Sequence, residues 1–143
     1  MAGATVDIGT GTTIGFGTSS WTSELLSIDW SGISREAIET SQMATAAAGA
    51  NKFGNRTYVP GQLSDPGELT CEFHLDPDKE PPIDQPAETI TVTFPLVSGD
   101  STAANWACSG FATGFSASIP LEDKMTATMT IKLTGNVSQT AAA

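Results

Sequence analysis

Basic residues are scarce. The 143-residue chain carries six lysines and arginines against sixteen aspartates and glutamates, a formal net charge of −10. Arg35, Lys52, Arg56, Lys79, Lys124 and Lys132 stand singly, with no basic stripe to grip nucleic acid. Charged residues of both signs make up only 15% of the chain, against about a quarter in an ordinary soluble domain. There is one histidine and there are two cysteines. That leaves few candidates for acid–base catalysis, and no cysteine framework or zinc spacing. No stretch approaches the ~18 to 20 apolar residues of a membrane helix. Met1-Ala2-Gly3-Ala4 has neither a basic n-region nor an apolar h-region, which predicts cytoplasmic synthesis with reduced thiols.

What the chain has in quantity is threonine, serine and glycine, with prolines at short intervals. Period-two alternation recurs through it. In Met125–Leu133, Met125, Ala127, Met129, Ile131 and Leu133 alternate with Thr126, Thr128, Thr130 and Lys132. Ile90, Val92 and Phe94 alternate with Thr89, Thr91 and Thr93. Leu69, Cys71, Phe73 and Leu75 alternate with Thr70, Glu72 and His74, and Leu26, Ile28 and Trp30 with Ser27 and Asp29. In Phe111–Ile119 the bulky set is Phe111, Thr113, Phe115, Ala117 and Ile119, against small residues. Thr12–Gly17 is a weaker strand. Five or six strands with one apolar face each predict an all-β sandwich or barrel. The short Pro120–Lys124 turn predicts a hairpin of the last two strands.

Three segments fall outside this pattern. Ile33–Lys52 reads as an Ala-rich helix after Ser34 as N-cap, or as a short strand, Glu36–Thr40, followed by a loop. Lys52–Gly67 reads as a long loop bearing Phe53 and Tyr58, and long aromatic loops tend to be functional. Asp76–Ala87 holds Pro77, Pro81, Pro82 and Pro86, which excludes a regular helix. The whole chain, 1–143, reads as one domain with frayed ends at about 1–10 and at 137–143.

The chemistry readings are sparse. His74 beside Glu72 fits a surface histidine better than a catalytic pair. Cys71 and Cys108 fit apolar strand faces as small hydrophobes. Asp76, Asp78, Glu80 and Asp84 form an acidic loop without calcium-loop spacing. Gly9-Thr10-Gly11 lacks the remainder of a nucleotide loop. The expectation is no enzyme, no metal and no cofactor. Thr- and Ser-rich strand faces with few charges are exposed to edge pairing, which suits a subunit buried in an assembly.

The order of elements resembles the major tail tube proteins of long-tailed (siphovirus-type) phages and phage-derived tails. The residues that carry this are Arg35–Ser41, the run Tyr58-Val59-Pro60-Gly61-Gln62-Leu63-Ser64-Asp65-Pro66-Gly67-Glu68, Ile90–Pro95 leading to Trp106–Gly114, Ile119–Met125, and Thr134–Val137. The resemblance covers roughly Ile28 to Val137. It implies a β-sandwich or barrel with at most one short helix and long loops. It also implies hexameric rings stacked into a hollow tube that conducts DNA from capsid to host. On it, Ile33–Lys52 becomes a strand and the start of a ring-to-ring loop, with contacts at Met43, Lys52, Phe53, Arg56, Tyr58 and Pro60. Lumen-facing candidates on the polar faces are Glu88, Thr89, Thr91, Thr126, Thr128 and Thr130.

The implied partners are copies of itself, a tape measure protein, terminator and tip proteins, and passing double-stranded DNA, with no membrane binding. The implied location is the virion tail, assembled in the host cytoplasm. One departure stands out: the helix such subunits carry between the middle strands falls on the proline-rich Asp76–Ala87. Two other readings compete. One is a monomeric immunoglobulin-like or decoration module using Trp21, Tyr58 or Trp106. The other is a ring protein of a contractile injection or secretion system.

Overall fold

A computed structural model of the protein describes residues 9–42, 54–96 and 99–143. Its eight strands are β1 (Thr13–Phe16), β2 (Leu25–Trp30), β3 (Ser34–Glu39), β4 (Tyr58–Asp65), β5 (Glu68–His74), β6 (Glu88–Thr93), β7 (Asn105–Ser118) and β8 (Thr126–Thr140). The described residues contain no helix, and the fold is all-β. Asp76–Ala87 is irregular, as its prolines require. Met43, Lys52 and Phe53 lie outside the described residues, as does most of the expected N-terminal fray. The chain divides into two compact units, Met1–Gly32 with Pro66–Ala143, and Ile33–Asp65.

The first unit is one antiparallel sheet in the order β1-β6-β7-β8-β5-β2. The expected β7–β8 hairpin is its longest pairing, running from Asn105↔Thr140 to Ser118↔Thr126. Alternation decides what is buried. On β8, Ala127, Met129, Ile131 and Leu133 are buried and Thr126, Thr128, Thr130 and Lys132 only partly so. β5 buries Leu69, Cys71 and Phe73, and β6 buries Ile90 and Val92.

The apolar face closes because the sheet curls on itself. Trp30 on edge strand β2 and Trp106 on β7 are separated in the sheet by β5 and β8, yet their ring centroids lie 4.9 Å apart. Phe16 at the other edge meets Trp21 edge-on at 5.4 Å, and Trp21 meets Phe73 of β5 at 5.0 Å. Aromatic T-contacts of this kind add about 0.5–1.5 kcal/mol each beyond the area they bury.

Three features differ from the sequence expectations, each for a local reason. On β7 the register shifts between Ala112 and Gly114, so Thr113 is an extra residue. Phe115 and Ala117 therefore face Met129 and Ala127 as expected, but before the bulge the parity inverts. Ala112 and Cys108 are buried there and Phe111 is exposed. On β2 a shift between Leu25 and Ser27 packs Leu25 toward the core and leaves Leu26 outside. The expected fray at 137–143 is ordered. Ser138, Gln139 and Thr140 pair with Ala107, Trp106 and Asn105. Ala143 also exchanges backbone hydrogen bonds with Thr102, at 2.9 and 3.1 Å.

The second unit is the two-stranded sheet β3–β4. The strand-plus-loop reading of Ile33–Lys52 holds for β3, and no helix forms over the described part of it. The expected loop over Lys52–Gly67 is largely strand. β4 escapes sequence reading because it does not alternate and carries Pro60, whose missing N–H is tolerated at a sheet edge. In a two-stranded sheet every strand is an edge. The register jumps from Arg35↔Ser64 to Ala37↔Pro60, so Glu36 stands against residues 61–63 and β4 carries two extra residues. Gly61 is needed there, since a Cβ at that position would meet the Glu36 carbonyl oxygen at 2.9 Å.

Within the first unit, Ser31–Gly32, where the chain leaves, and Pro66–Gly67, where it returns, are clasped. The Trp30 indole donates to the Pro66 carbonyl at 2.8 Å, and the Glu68 N–H donates to Ser31 Oγ at 2.8 Å. The Ser31 N–H donates to the Glu68 carbonyl at 3.0 Å. Gly67 has φ 83° and no room for a Cβ, which would fall 2.5 Å from the Gly32 carbonyl oxygen and against Ser31 Oγ.

Candidate functional site

Among the described residues no three of His, Cys, Asp and Glu converge as metal ligands. Cys71 and Cys108 are both free and buried. Burial, and then the Asp29 carboxylate, push the Cys71 thiol up to about 12, and burial raises Cys108 as well. These are packing groups, not nucleophiles. What the structure builds are surfaces.

The first is the outer face of the six-stranded sheet. The register lines its residues into rows across the strands. One row runs from Asp29 through Thr70 and Thr130 to Gly114, and the next from Ser27 through Glu72 and Thr128 to Ser116. A third joins His74, Thr126 and Ser118. Toward the other edge, Thr91 stands between Gly15 and Ala107, and Thr89 faces Ser109. The five threonines expected on this face are all there. The carboxylates among them are Asp29, Glu68 and Glu72, with Lys132 opposite Glu68. The sequence showed Glu72 on a polar face. It could not show that β5 lies beside β8, which brings Glu72 to Thr128.

Glu88 is a correction. It shares parity with Ile90 and Val92, and it is only 6% exposed. Its Oε1 accepts the N–H groups of Thr18 and Ser19 at 3.2 and 3.0 Å and the Ser19 hydroxyl at 2.9 Å. A buried carboxylate is tolerated when donors surround it. This one pins the turn after β1 and does not belong to the threonine face.

The second surface is the β3–β4 unit. Every residue of β3 is exposed, as is all of β4 except Gly61. Of the residues expected to make ring contacts, Tyr58 and Pro60 lie on β4 opposite Glu39 and Ala37. Arg56 reaches the Glu39 carboxylate at 3.9 Å, an exposed pair that contributes little. Hydrogen bonds from Thr40 to Thr57 and from Thr57 to Ser41 tie the strand ends together. The sequence reading missed Ile38 and Val59, an exposed cross-strand pair, and Leu63, which is 86% exposed. A two-stranded sheet alone is marginal in water, and this one has no buried apolar face of its own.

No sequence-family model matches the chain, and no curated protein matches it. Solved structures do. A chain of an extracellular contractile injection system, the PVC sheath/tube terminator in its extended state, matches with a TM-score of 0.71 at 20% identity, over 98% of this chain and 100% of that one. A chain of the native gene transfer agent virion matches with 0.61 at 11% identity, over 95% and 100%. Hcp1 from Flavobacterium johnsoniae matches with 0.55 at 10% identity, over 90% and 93%. The fold is therefore of the phage tail tube type.

Proposed function

We propose that this protein is a non-enzymatic structural subunit of a phage tail tube or a phage-derived tail, whose hexameric rings stack into a hollow tube that conducts DNA. The observation that carries the reading is the sheet's outer face, a continuous field of hydroxyls and carboxylates on a tail-tube-type fold. DNA carries about one negative charge per ~1.7 Å of axis. A basic lumen would hold it at many points along the tube. A lumen of Thr70, Thr89, Thr91, Thr126, Thr128 and Thr130 with Asp29 and Glu72 between them offers hydroxyls and repulsion instead. The exposed β3–β4 strands, with Arg56, Tyr58 and Pro60, contact the neighbouring ring, together with Met43, Lys52 and Phe53 from the sequence between them. The tape measure protein occupies the lumen during assembly in the host cytoplasm, and terminator and tip proteins close the ends in the virion.

Negative-stain microscopy of the purified protein at rising concentration tests the assembly. Rings and tubes are the expected result, and a persistent monomer would restore the decoration-module reading. Thr128→Lys with Thr130→Lys tests the lumen: tubes form, and DNA ejection slows. Unchanged ejection through that tube would remove the low-friction role.

A second reading has an observation in its favour. A chain in the structure of a contractile injection system's sheath/tube terminator is matched over its whole length at the TM-score of 0.71, and a terminator ring is the alternative to a tube ring. A ring that ends a tube presents only one stacking face, so it accumulates as single rings or short stacks at concentrations where a tube subunit polymerises.

A further inference from the structure

Consecutive strands β1 and β2 lie at opposite edges of the six-stranded sheet, so the link over residues 17–24 crosses from one edge to the other. Unfavourable features gather in that link. Ser20 has φ 55°, a left-handed conformation that a residue with a Cβ holds only under constraint. Trp21 Nε1 and Ser23 Oγ are buried and, among the described residues, have no hydrogen-bond partner. Buried polar atoms in a native fold are normally paired, so an unpaired one marks a store of strain.

The residues just before Ser20 are well satisfied, and their partners are on β6. β1 pairs with β6 alone, from Thr13↔Thr93 to Phe16↔Ile90, and buries Ile14 and Phe16. The Gly17 N–H donates to the Thr89 carbonyl at 2.8 Å. Glu88 then latches the N–H groups of Thr18 and Ser19 and the Ser19 hydroxyl. The ladder and the latch would be the same if β6 belonged to a second copy. Trp21, which touches Phe16 and Phe73, would find both rings there as well. Only the link differs between the two arrangements. Opened between copies, it lets Ser20 leave the left-handed region and Trp21 Nε1 and Ser23 Oγ find partners. A short link under strain is the feature that invites such exchange.

Resting on the reading that copies of this chain assemble, we propose that β1 and its latched turn, residues 13–19, are exchanged between copies. The β1 of one copy pairs with the β6 of the next, and residues 20–23 are the hinge. The strand given and the edge received are different elements, so the exchange runs head to tail and is compatible with a closed ring.

Thr13→Cys with Thr93→Cys reads the exchange. The two positions are register partners, near enough across the ladder for a disulfide. Both alternate with the buried Ile14 and Val92, so neither substitution enters the core, and the native Cys71 and Cys108 are buried. The variant is assembled reduced, then oxidised and run on a non-reducing denaturing gel. A ladder of covalent oligomers is expected, with links between chains exceeding links within a chain by about tenfold. Rings whose links all lie within single chains overturn the proposal.

Oxidising the monomer first locks β1 onto its own β6. The concentration for half-assembly should then rise by about tenfold or more, and reduction should restore it. Locked chains that assemble like the wild type also count against exchange. Ser20→Gly, in the chain with only its native cysteines, relaxes the closed link and should raise the half-assembly concentration by about fivefold. An unchanged value in a variant that melts no lower than the wild type removes the hinge. Rings with links only within chains would sink the exchange and keep the tail-tube reading. Dimers linked between chains that never form rings would do the reverse.

Discussion

The two units of this chain handle their apolar residues in opposite ways. The six-stranded sheet buries Met129, Ile131, Ile90 and Cys71 almost completely within its own curl. The β3–β4 sheet exposes Ile38, Tyr58, Val59 and Leu63 and buries little beyond a glycine. One region thus carries its own folding free energy. The other, among the described residues, is a pair of strands with nothing of its own to pack against. Stability and assembly should therefore respond to different residues.

The largest effect is expected in the curl. Ile131→Ala should cost about 2–5 kcal/mol, with a melting temperature lower by roughly 10 °C. A loss below about 1 kcal/mol in urea titration would break the assignment of the core to this face. Next comes Glu88→Ala, which strands the Thr18 and Ser19 N–H groups and should cost about 2 kcal/mol or more, whereas Glu88→Gln keeps an acceptor oxygen and should cost less. Equal losses in the two variants would mean that packing, not hydrogen bonding, is what Glu88 supplies.

A smaller, pH-dependent effect belongs to Cys71. Its folded thiol lies at about 12, well above the ~8.5 of an exposed thiol. A raised folded pKa gives stability that is complete below the unfolded value and is lost as pH climbs toward the folded one. Denaturation midpoints should fall between about pH 8.5 and 12, with a shallower fall in Cys71→Ala. Parallel slopes would locate the alkaline loss elsewhere.

The smallest effect on stability is expected in the β3–β4 unit. Val59→Ser and Leu63→Ser should each shift monomer stability by no more than about 0.5 kcal/mol, yet raise the concentration needed for assembly. Normal assembly in the double variant would break the comparison from the hairpin side.

How much of this could be read from the residues follows from the same contrast. Where one face is buried and the ladder is regular, as on β8, β5 and β6, alternation told which residues point inward. The polar threonine face was therefore legible as well. It failed at Thr113 and Leu26, because one extra residue inverts parity and period-two reading has no means of counting it. It failed on β4, where both faces are exposed and there is no hydrophobic period to read. The polar end of β8, Val137–Thr140, looked like a tail because its pairing with Asn105–Ala107 is a backbone matter with little side-chain signature. Glu88 was misread because a carboxylate at a strand start looks solvent-directed until the donors of Thr18 and Ser19, some seventy residues away, are brought to it.

The clasp at Ser31 and Glu68 bears on how a chain like this can change over generations. The strands β2 and β5 are already neighbours there, joined by the same hydrogen bonds that a tight hairpin would supply. To the sheet, everything from Ile33 to Asp65 closes like an ordinary turn. That excursion can lengthen, shorten or be exchanged whole while the register of the sheet stays fixed, provided Gly67 remains. Natural variation can thus gather in one cassette, leaving the six-stranded sheet itself unaltered.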